Sequence, residues 1–244
     1  MPCLNEIAFI KLWLESASRY ADELVIIDGG STDGTREVIW ANINKYNIMT
    51  SINKQQGQPY SVDWNESSVR NRLLNMATGD YILMLDADEL MSDDFDKSKL
   101  EPDYFYRFEF IPFWRDIKTV RLSTAGDMRW LGHRIDRLFK SGQARYTDEK
   151  HHCQLISDYP IKESGSKIYH LHYALETFKI KPKVNDNRRL DMGVHNNIND
   201  AIDWYYVNTH PDLFIPFGSY KIETAEYNGE YPKILEEALC LKKI

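Results

Sequence analysis

Residues 79–89 read Gly-Asp-Tyr-Ile-Leu-Met-Leu-Asp-Ala-Asp-Glu, a short apolar strand that runs directly into the acids Asp86, Asp88 and Glu89. Successive strand side chains alternate in direction, so Asp86 and Asp88 leave one face about 6.6 Å apart if the strand geometry continues. Carboxylates this close repel each other unless a metal ion, a shared proton or a basic partner intervenes. In an α/β sheet, ligands bind at the carboxyl ends of strands. The stretch therefore predicts a ligand site.

A second strand is predicted upstream, where residues 23–35 read Glu-Leu-Val-Ile-Ile-Asp-Gly-Gly-Ser-Thr-Asp-Gly-Thr. The run is rich in β-branched residues, ends at Asp28, and is followed by three glycines, among them Gly30. Glycine permits backbone turns that other residues resist. Helical spacing then begins at Thr35. The pattern predicts a strand, a loop and a helix.

Strands and helices alternate along this part of the chain. Helices are predicted over 7–20, with Ile7, Ile10, Leu14 and Ala17 on one face, and over 66–77, and strands over 48–52 and 81–85. A polar loop is predicted over 53–64. Such alternation predicts an α/β fold with a mostly parallel central sheet flanked by helices.

Composition is ordinary for a globular protein: 244 residues, 43% hydrophobic and 27% charged. We expect one domain with elaborations. The net charge of −7 argues against a broad nucleic-acid surface, which needs clustered Lys and Arg. No nucleic acid is therefore expected as a partner.

The three cysteines are scattered and odd in number, which indicates a reducing compartment without a disulfide framework. No apolar run approaches the ~20 residues needed to cross a bilayer. The first fifteen residues carry acids among the apolar positions and no basic leader, so no signal peptide is expected. We expect the cytoplasm, and peripheral association with the inner face of the membrane stays open.

Aromatic residues are concentrated in residues 104–114, Tyr-Phe-Tyr-Arg-Phe-Glu-Phe-Ile-Pro-Phe-Trp. Alternation predicts a strand with one buried and one more exposed face. Core packing is favoured over a platform for sugars, because aromatic side chains dominate cores generally. If such a platform exists, Trp114 and Trp130 are its candidates, since arginines flank them.

The four sequence features Asn5-Glu6, Asp28 with its glycine loop, Arg70-Asn71 and residues 79–89 occur in the order seen in one known family. Over about the first 175 residues the chain resembles the family 2 glycosyltransferases with the GT-A fold, especially the bacterial enzymes that build lipopolysaccharide cores and surface glycans. The resemblance implies a nucleotide-diphospho-sugar transferase fold. It also implies that Asp28 contacts the nucleotide base.

The same resemblance implies a divalent cation, Mn²⁺ or Mg²⁺, held by Asp86 and Asp88 on the diphosphate of the donor. The complete expected donor-binding set is Asn5, Glu6, Asp28, Gly30, Arg70 and Asp86. Arg70 lies near the start of its predicted helix, where the helix dipole and a guanidinium both favour phosphate.

Two histidines follow a later apolar run, in His170-Leu-His172. Alternation puts both imidazoles on one face. By resemblance, one of the two completes the metal shell, and His172 is preferred over His170. A structural role for the pair is the alternative.

The proton acceptor is expected in the segment that begins at Arg137-Leu-Phe, where the family has His-Glu about a dozen residues on. Here His152 replaces that glutamate. His152 has an ordinary pKa close to neutral pH, and the carboxylates Asp148 and Glu149 are the other candidates. A zinc site that includes neighbouring Cys153 is disfavoured, because adjacent strand side chains diverge.

The first strand of the family is reduced here to residues 1–4. Either the sheet accepts this truncated first strand, another segment fills its place, or the sequence starts downstream of its natural beginning. The glycosyltransferase domain is expected over 1–178. A helical or irregular extension packed on the same domain is expected over 179–244, with helices near 185–191 and 199–207.

The functional hypothesis is an inverting, metal-dependent hexosyltransferase-like enzyme that moves a sugar from a nucleotide-sugar, with a UDP-sugar expected, to a glycan or lipid-linked acceptor. A catalytically inert binding protein derived from such an enzyme is the main alternative. A sugar-nucleotide synthesising enzyme would need a glycine-rich basic signature near its first strand. A phosphatase of the haloacid dehalogenase type would place its Asp-x-Asp after the first strand. Neither pattern is present.

Overall fold

The computed structural model describes residues 1–52, 65–123, 132–149, 153–172, 174–178 and 223–240. The strands are β1 Pro2–Cys3, β2 Leu24–Asp28, β3 Ile48–Ile52, β4 Tyr81–Leu83, β5 Glu89–Met91, β6 Phe105–Trp114, β7 Asp116–Ser123, β8 Arg134–Lys140, β9 Ala144–Tyr146, β10 Leu155–Ser157, β11 Ile161–His170 and β12 Glu223–Glu226. The helices are α1 Ile10–Ala17, α2 Thr35–Ala41, α3 Glu66–Met76, α4 Leu175–Phe178 and α5 Lys233–Ala238, with a 3-10 helix at Lys97–Lys99.

The first sheet is parallel, in the order β1-β2-β3. Pro2 pairs with Ile27, and Leu24 pairs with Ile48, so the buried residues of β2 lie between its two neighbours. The first strand is a two-residue stub that nevertheless keeps its parallel pairing with β2. The predicted α/β class, with parallel strands flanked by helices, is confirmed in this part of the chain.

The second sheet is mixed, with the order β12-β7-β6-β11-β5, and β8 links β6 to β4. Its parallel pair is β6 with β11, and the other pairings in this sheet are antiparallel. The parallel character predicted from strand and helix alternation therefore holds for the first three strands. Among the later described strands it holds for the pair β6 and β11 alone, and the other pairings are antiparallel.

Several predicted elements match closely. Strand β3 has the predicted bounds, and α3 differs from its predicted helix by one residue. Helix α1 is shorter than predicted, since it begins at Ile10, and Ile7 in the preceding turn is 46% exposed. Placing Ile7 on the buried face was therefore wrong. Ile10 and Leu14 are buried as expected.

The core lies on both sides of α1. Ile10 and Leu14 pack in one cluster with Ile26 of the first sheet and Phe108 of the second. The opposite side of the same helix contributes Leu12 to a second cluster with residues of β6, β11 and α5. One helix thus joins the two sheets through a shared apolar interior, and burial of such apolar area is the main stabilising term in folding.

Strand β6 is buried on both faces over most of its length, so the prediction of one exposed face was wrong. The core interpretation of its aromatic residues is confirmed. Trp114 is only 3% exposed and lies under the guanidinium of Arg121 at 4.8 Å, which does not fit a solvent-facing sugar platform. Neighbouring charged residues misled the prediction, because they mark the end of the strand and not its exposed face. Trp130 lies outside the described residues.

The described C-terminal residues add to the same sheet and core. Strand β12 pairs with β7, and Ile234 and Leu235 of α5 are buried in the cluster that includes Leu12. The loop predicted over 53–64 and the helices predicted over 185–191 and 199–207 lie outside the described residues. The proposed division at residue 178 stays a prediction.

Candidate functional site

The acids that follow β4 lie on a tight turn. Strand β4 ends at Leu83, and the Glu89 amide donates to the Asp86 carbonyl at 3.0 Å. In return, the Glu89 carboxylate accepts the Asp86 amide at 2.9 Å. The strand therefore does not continue through Asp88, because these two bonds close a turn. We call residues 86–89 the acid turn.

Asp86 is held by two arginines. Arg70 of α3 forms an ion pair with one carboxylate oxygen at 2.9 Å. Arg137 of β8 lies 3.5 Å from the other oxygen. Burial favours the protonated carboxyl, but the two guanidinium groups hold the pKa of Asp86 well below its usual range. The repulsion between the neighbouring carboxylates is thus offset at Asp86 by basic partners.

Arg137 and Glu89 form the interior of this network. The Arg137 guanidinium donates to Glu89 at 2.7 Å, and the Glu89 side chain is 2% exposed. Burial raises the pKa of Glu89 against the attraction of Arg137. Arg137 reaches the turn because Met84 donates its amide to the Arg137 carbonyl at 2.8 Å, extending the pairing of β4 with β8.

Sequence reasoning did not assign a role to Arg137 beyond its place in an Arg-Leu-Phe motif, and it left out Glu66. Glu66 accepts from Arg70 at 2.8 Å, one helical turn away on α3. The i, i+4 spacing of Glu66 and Arg70 was a readable signal for that pair. No local signal pairs Arg137 with Asp86, since 51 residues separate them.

Asp88 faces the two predicted histidines. His172 Nδ1 lies 2.8 Å from Asp88 Oδ2, and His170 Nε2 lies 3.8 Å from the same atom. The two imidazole rings stack with centroids 5.8 Å apart, so the prediction that both share one face is confirmed. The Leu171 amide, between them, donates to the Asp88 carbonyl at 2.8 Å and fixes β11 against the acid turn.

Carboxylate and imidazole are ligand types that Mn²⁺ accepts, so the chemistry of Asp88 and His172 fits the expected cation. The geometry is incomplete: among the described residues, no group of three or more His, Cys, Asp or Glu side chains is arranged to hold a metal. Asp86 is engaged with Arg70 and Arg137 instead. Metal binding by Asp86, Asp88, His170 and His172 stays a prediction.

Asp28 closes the glycine loop after β2. One carboxylate oxygen accepts the Ser31 amide at 3.0 Å and the Ser31 hydroxyl at 2.5 Å, and Arg36 Nε donates to the other at 2.8 Å. Burial opposes ionisation, but these bonds from Ser31 and Arg36 lower the pKa of Asp28. Gly30 has φ of 102°, in the left-handed region that favours glycine. The contact of Asp28 with a nucleotide base stays a prediction.

The loop after β1 is joined to this glycine loop. The Asn5 amide donates to Ser31 Oγ at 2.9 Å, and the Asn5 side chain accepts the Thr32 amide at 2.9 Å. The Glu6 amide donates to Thr35 Oγ1 at 2.8 Å. Asn5, Glu6, Asp28 and Gly30 thus lie on two connected loops at the carboxyl ends of neighbouring parallel strands. Their role in binding a donor stays a prediction.

The candidate bases lie beyond β9. Strands β9 and β10 form an antiparallel hairpin, and Asp148 and Glu149 are exposed in the segment that joins them. The Glu149 carboxylate accepts from Thr147 Oγ1 at 2.7 Å. His152 lies outside the described residues. The structure therefore places two of the three candidates in one loop and does not choose among them.

Two surface clefts are formed elsewhere by described residues. One of about 370 Å³ lies between α1 and α2 and is lined by residues such as Leu14 and Tyr46. The other, of about 430 Å³, borders the 3-10 helix and is lined by residues such as Lys99 and Lys162. Neither cleft is lined by Asp86 or Asp88.

Comparison with known proteins defines the family. A family model described as Glycosyl transferase family 2 matches residues 1–163, about two thirds of the chain, which includes both connected loops, the acid turn and the β9–β10 hairpin. The chain therefore belongs to glycosyl transferase family 2. The predicted family is confirmed. No curated protein sequence matches the chain.

The solved structures that match include several of S. aureus TarS. The crystal structure of TarS shares 15% identity, with a TM-score of 0.46, and the match covers 86% of this chain and 42% of that one. The crystal structure of TarS 1-349 shares 16% identity with a TM-score of 0.42, and the match covers 69% of this chain and 58% of that one. For TarS 1-349 in complex with UDP-GlcNAc, the identity is 15% and the TM-score 0.40, and the match covers 66% of this chain and 56% of that one. The match thus spans about half of the length of these structures.

The described part of the chain contains no helix with the length and apolar character needed to span a membrane.

Proposed function

We propose that this chain transfers a sugar from a UDP-sugar to a hydroxyl group of a glycan or lipid-linked acceptor, with inversion at the anomeric carbon. The observation that carries the proposal is the acid turn, which lies within the family match and collects Asp86, Asp88, Arg70, Arg137 and His172 at the end of β4. Such a mixture of acids and bases suits a charged, metal-bound leaving group better than a neutral ligand.

In the proposed reaction, the acceptor oxygen forms a bond to the anomeric carbon while the bond from that carbon to the diphosphate oxygen breaks. The electron pair leaves with the UDP. The acceptor proton passes to a base, for which Asp148, Glu149 and His152 are the candidates. A single displacement of this kind inverts the configuration.

Charge on the departing diphosphate has to be offset. Arg70 and Arg137 supply positive charge at the acid turn, and guanidinium groups match phosphate oxygens in geometry. Asp88 and His172, with His170 and Asp86 beside them, are the residues that would hold Mn²⁺ or Mg²⁺. Such an ion, when bound, acts as a Lewis acid on the diphosphate.

One observation favours a second candidate, an inert nucleotide-sugar-binding protein. Asp86 is already neutralised by two arginines of its own chain. If Arg70 and Arg137 remain paired with Asp86 when the ligand binds, the chain would bind a nucleotide-sugar through these arginines without a catalytic cation. Release of UDP separates this candidate from the enzyme.

The test is a thermal-shift panel of UDP with and without Mn²⁺, on wild type, Asp88→Asn and the matched control Asp80→Asn, whose side chain is exposed. A ligand at 100 times its dissociation constant stabilises by about 2.7 kcal/mol. We expect UDP with Mn²⁺ to raise the Tm of wild type and Asp80→Asn. We expect Asp88→Asn to lose the part that depends on Mn²⁺.

Equal stabilisation of Asp88→Asn and wild type would contradict the metal assignment. Release of UDP from UDP-glucose, UDP-galactose or UDP-GlcNAc by wild type would support the enzyme. Binding without release from any of the three would favour the inert protein.

A further inference from the structure

The side-chain amide of Asn71, on α3, pairs with the backbone of β9 in the manner of a neighbouring strand. Asn71 Nδ2 donates to the Tyr146 carbonyl at 3.1 Å, and the Tyr146 amide donates to Asn71 Oδ1 at 2.9 Å. Both backbone groups of Tyr146 are thereby satisfied by one side chain. Buried backbone groups require such partners.

The hairpin needs this attachment. Within the described residues, β9 and β10 pair with each other and with no strand of the two larger sheets. The hairpin is fastened to the rest of the molecule by Asn71 and by apolar packing, in which Tyr146, 4% exposed, lies in one cluster with Met84 and Phe139. Ala144, Cys153 and Leu155 of the hairpin pack against the same cluster. An isolated two-stranded hairpin is at best marginally stable in water.

The hairpin carries two of the candidate bases, Asp148 and Glu149. Beyond Tyr146, the Thr147 amide donates to the Gln154 carbonyl at 2.9 Å, and the Gln154 amide donates to Thr147 Oγ1 at 2.8 Å. The same hydroxyl donates to Glu149. The position of the loop that contains Asp148 and Glu149 therefore depends on where Tyr146 is held.

Arg70, the residue before Asn71 on α3, contacts the acid turn. Arg70 contacts Asp86 at 2.9 Å, and its guanidinium lies 5.5 Å from the centre of the Tyr146 ring. Consecutive residues of one helix thus reach the acid turn and the hairpin. A rigid helix that touches both fixes the distance between them.

We propose that Asn71 is a positioning residue, which sets the β9–β10 loop against the acid turn without itself contributing to donor binding. This inference rests on the proposed function, because it assigns the proton acceptor to that loop. Asn71 and Arg70 have different roles. Asn71 holds the hairpin through Tyr146, whereas Arg70 acts on the sugar-donor site through its contact with Asp86.

The experiment compares Asn71→Ala and Asn71→Asp with Ser67→Ala. Asp keeps the acceptor for the Tyr146 amide but turns a second oxygen toward the Tyr146 carbonyl, so it should lose one bond and gain a repulsion. Ser67 Oγ is the other partner of Asn71 Nδ2, at 3.2 Å, and its removal leaves both bonds to Tyr146 in place.

Three quantities are measured on each variant: hydrogen exchange of the Tyr146 amide, the dissociation constant of UDP with Mn²⁺, and the rate of UDP release from UDP-sugars. For Asn71→Ala we expect exchange to rise about tenfold or more. We expect UDP release to slow by roughly 10- to 100-fold, because small misplacements of catalytic groups are costly. UDP affinity should change by less than about twofold, and Ser67→Ala should resemble wild type in all three.

Unchanged exchange at Tyr146 in Asn71→Ala would overturn the inference, as would a loss of UDP affinity equal to the loss in rate. Normal UDP release in Asn71→Ala despite faster exchange would overturn it as well. If wild type binds UDP but releases none from UDP-sugars, the proposed function fails and the positioning role in catalysis fails with it. The exchange data then decide whether Asn71 still anchors the hairpin.

Discussion

Two buried carboxylates, Asp28 and Asp86, have pKa values that groups of the same chain lower against the effect of burial. Asp28 lies within 3.0 Å of Ser31 and Arg36 donors, and Asp86 lies between Arg70 and Arg137. In both cases burial opposes the charge and the donors outweigh it. The ionised form is therefore tied to the folded state, and stability depends on pH.

Asp28→Asn tests this dependence. The pKa of Asp28 is lowered from 3.8 in the folded state, so the unfolded state binds the proton more readily, and the contribution to stability is present above 3.8 and is lost as the pH falls through the folded value. We expect Asp28→Asn to unfold more easily at pH 7 by about 1–3 kcal/mol. Its unfolding free energy should also vary less between about pH 5 and pH 3.

The measurement is urea unfolding across that pH range, with Asp22→Asn as the control. Asp22 pairs with Lys97 on the surface, where its side chain is 94% exposed, so its replacement should change little. If the free energy of unfolding falls equally with decreasing pH in Asp28→Asn and wild type, the Asp28 carboxylate does not cause the loss of stability in acid.

At the scale of elements, helix α3 supplies Glu66 from one turn and the consecutive residues Arg70 and Asn71 from the next. Its first turn depends on Asn65, whose side-chain oxygen accepts the Ser68 amide at 2.8 Å. An N-terminal cap of this kind satisfies one of the donors that the helix leaves open. Glu66, in that first turn, also has the charge that the helix dipole favours.

Asn65→Ala is expected to lower the free energy of unfolding by about 1 kcal/mol, because the Ser68 amide loses its acceptor. Asn65→Asp retains an acceptor and should match wild type closely. Urea denaturation followed by circular dichroism measures both. A similar loss in Asn65→Asp and Asn65→Ala would mean that the cap is not the source of the effect.

At the scale of the whole molecule, α1 and β6 join the two sheets in one core. Phe108 is fully buried on β6 and lies in the same cluster as Ile26 of the parallel sheet and Leu14 of α1. A substitution in this cluster should therefore lower the stability of both sheets together. A cooperative unit of this kind unfolds in one transition.

We expect Phe108→Ala to cost about 3–5 kcal/mol, through lost burial and the cavity that remains. Trp40→Ala is the control, since Trp40 is 50% exposed on α2 and surface replacements are usually within about 0.5 kcal/mol of wild type. Calorimetry and near-ultraviolet circular dichroism should report one shared transition for Phe108→Ala. Two separate transitions would contradict a shared core.

Local patterns were enough for a considerable part of the fold. Strand β3 and helix α3 were predicted nearly to the residue, because side-chain periodicity and turn residues act over a few neighbouring positions. The chain also contains the family's features in their order, so the identity of the acids at the end of β4 was available from the sequence. The shared face of His170 and His172 was predicted from strand alternation, and it is kept although β11 ends at His170.

The partners of those acids were decided by tertiary structure. Arg137 lies 51 residues from Asp86, and His172 lies 84 residues from Asp88, so only the pairing of β8 with β4 and of β11 with β5 brings them together. The same is true of Trp114, whose burial depends on what packs over the end of β6. Local sequence specifies which groups a turn or strand presents, whereas the cost of burying charge and the gain from burying apolar area are settled between segments far apart in the chain.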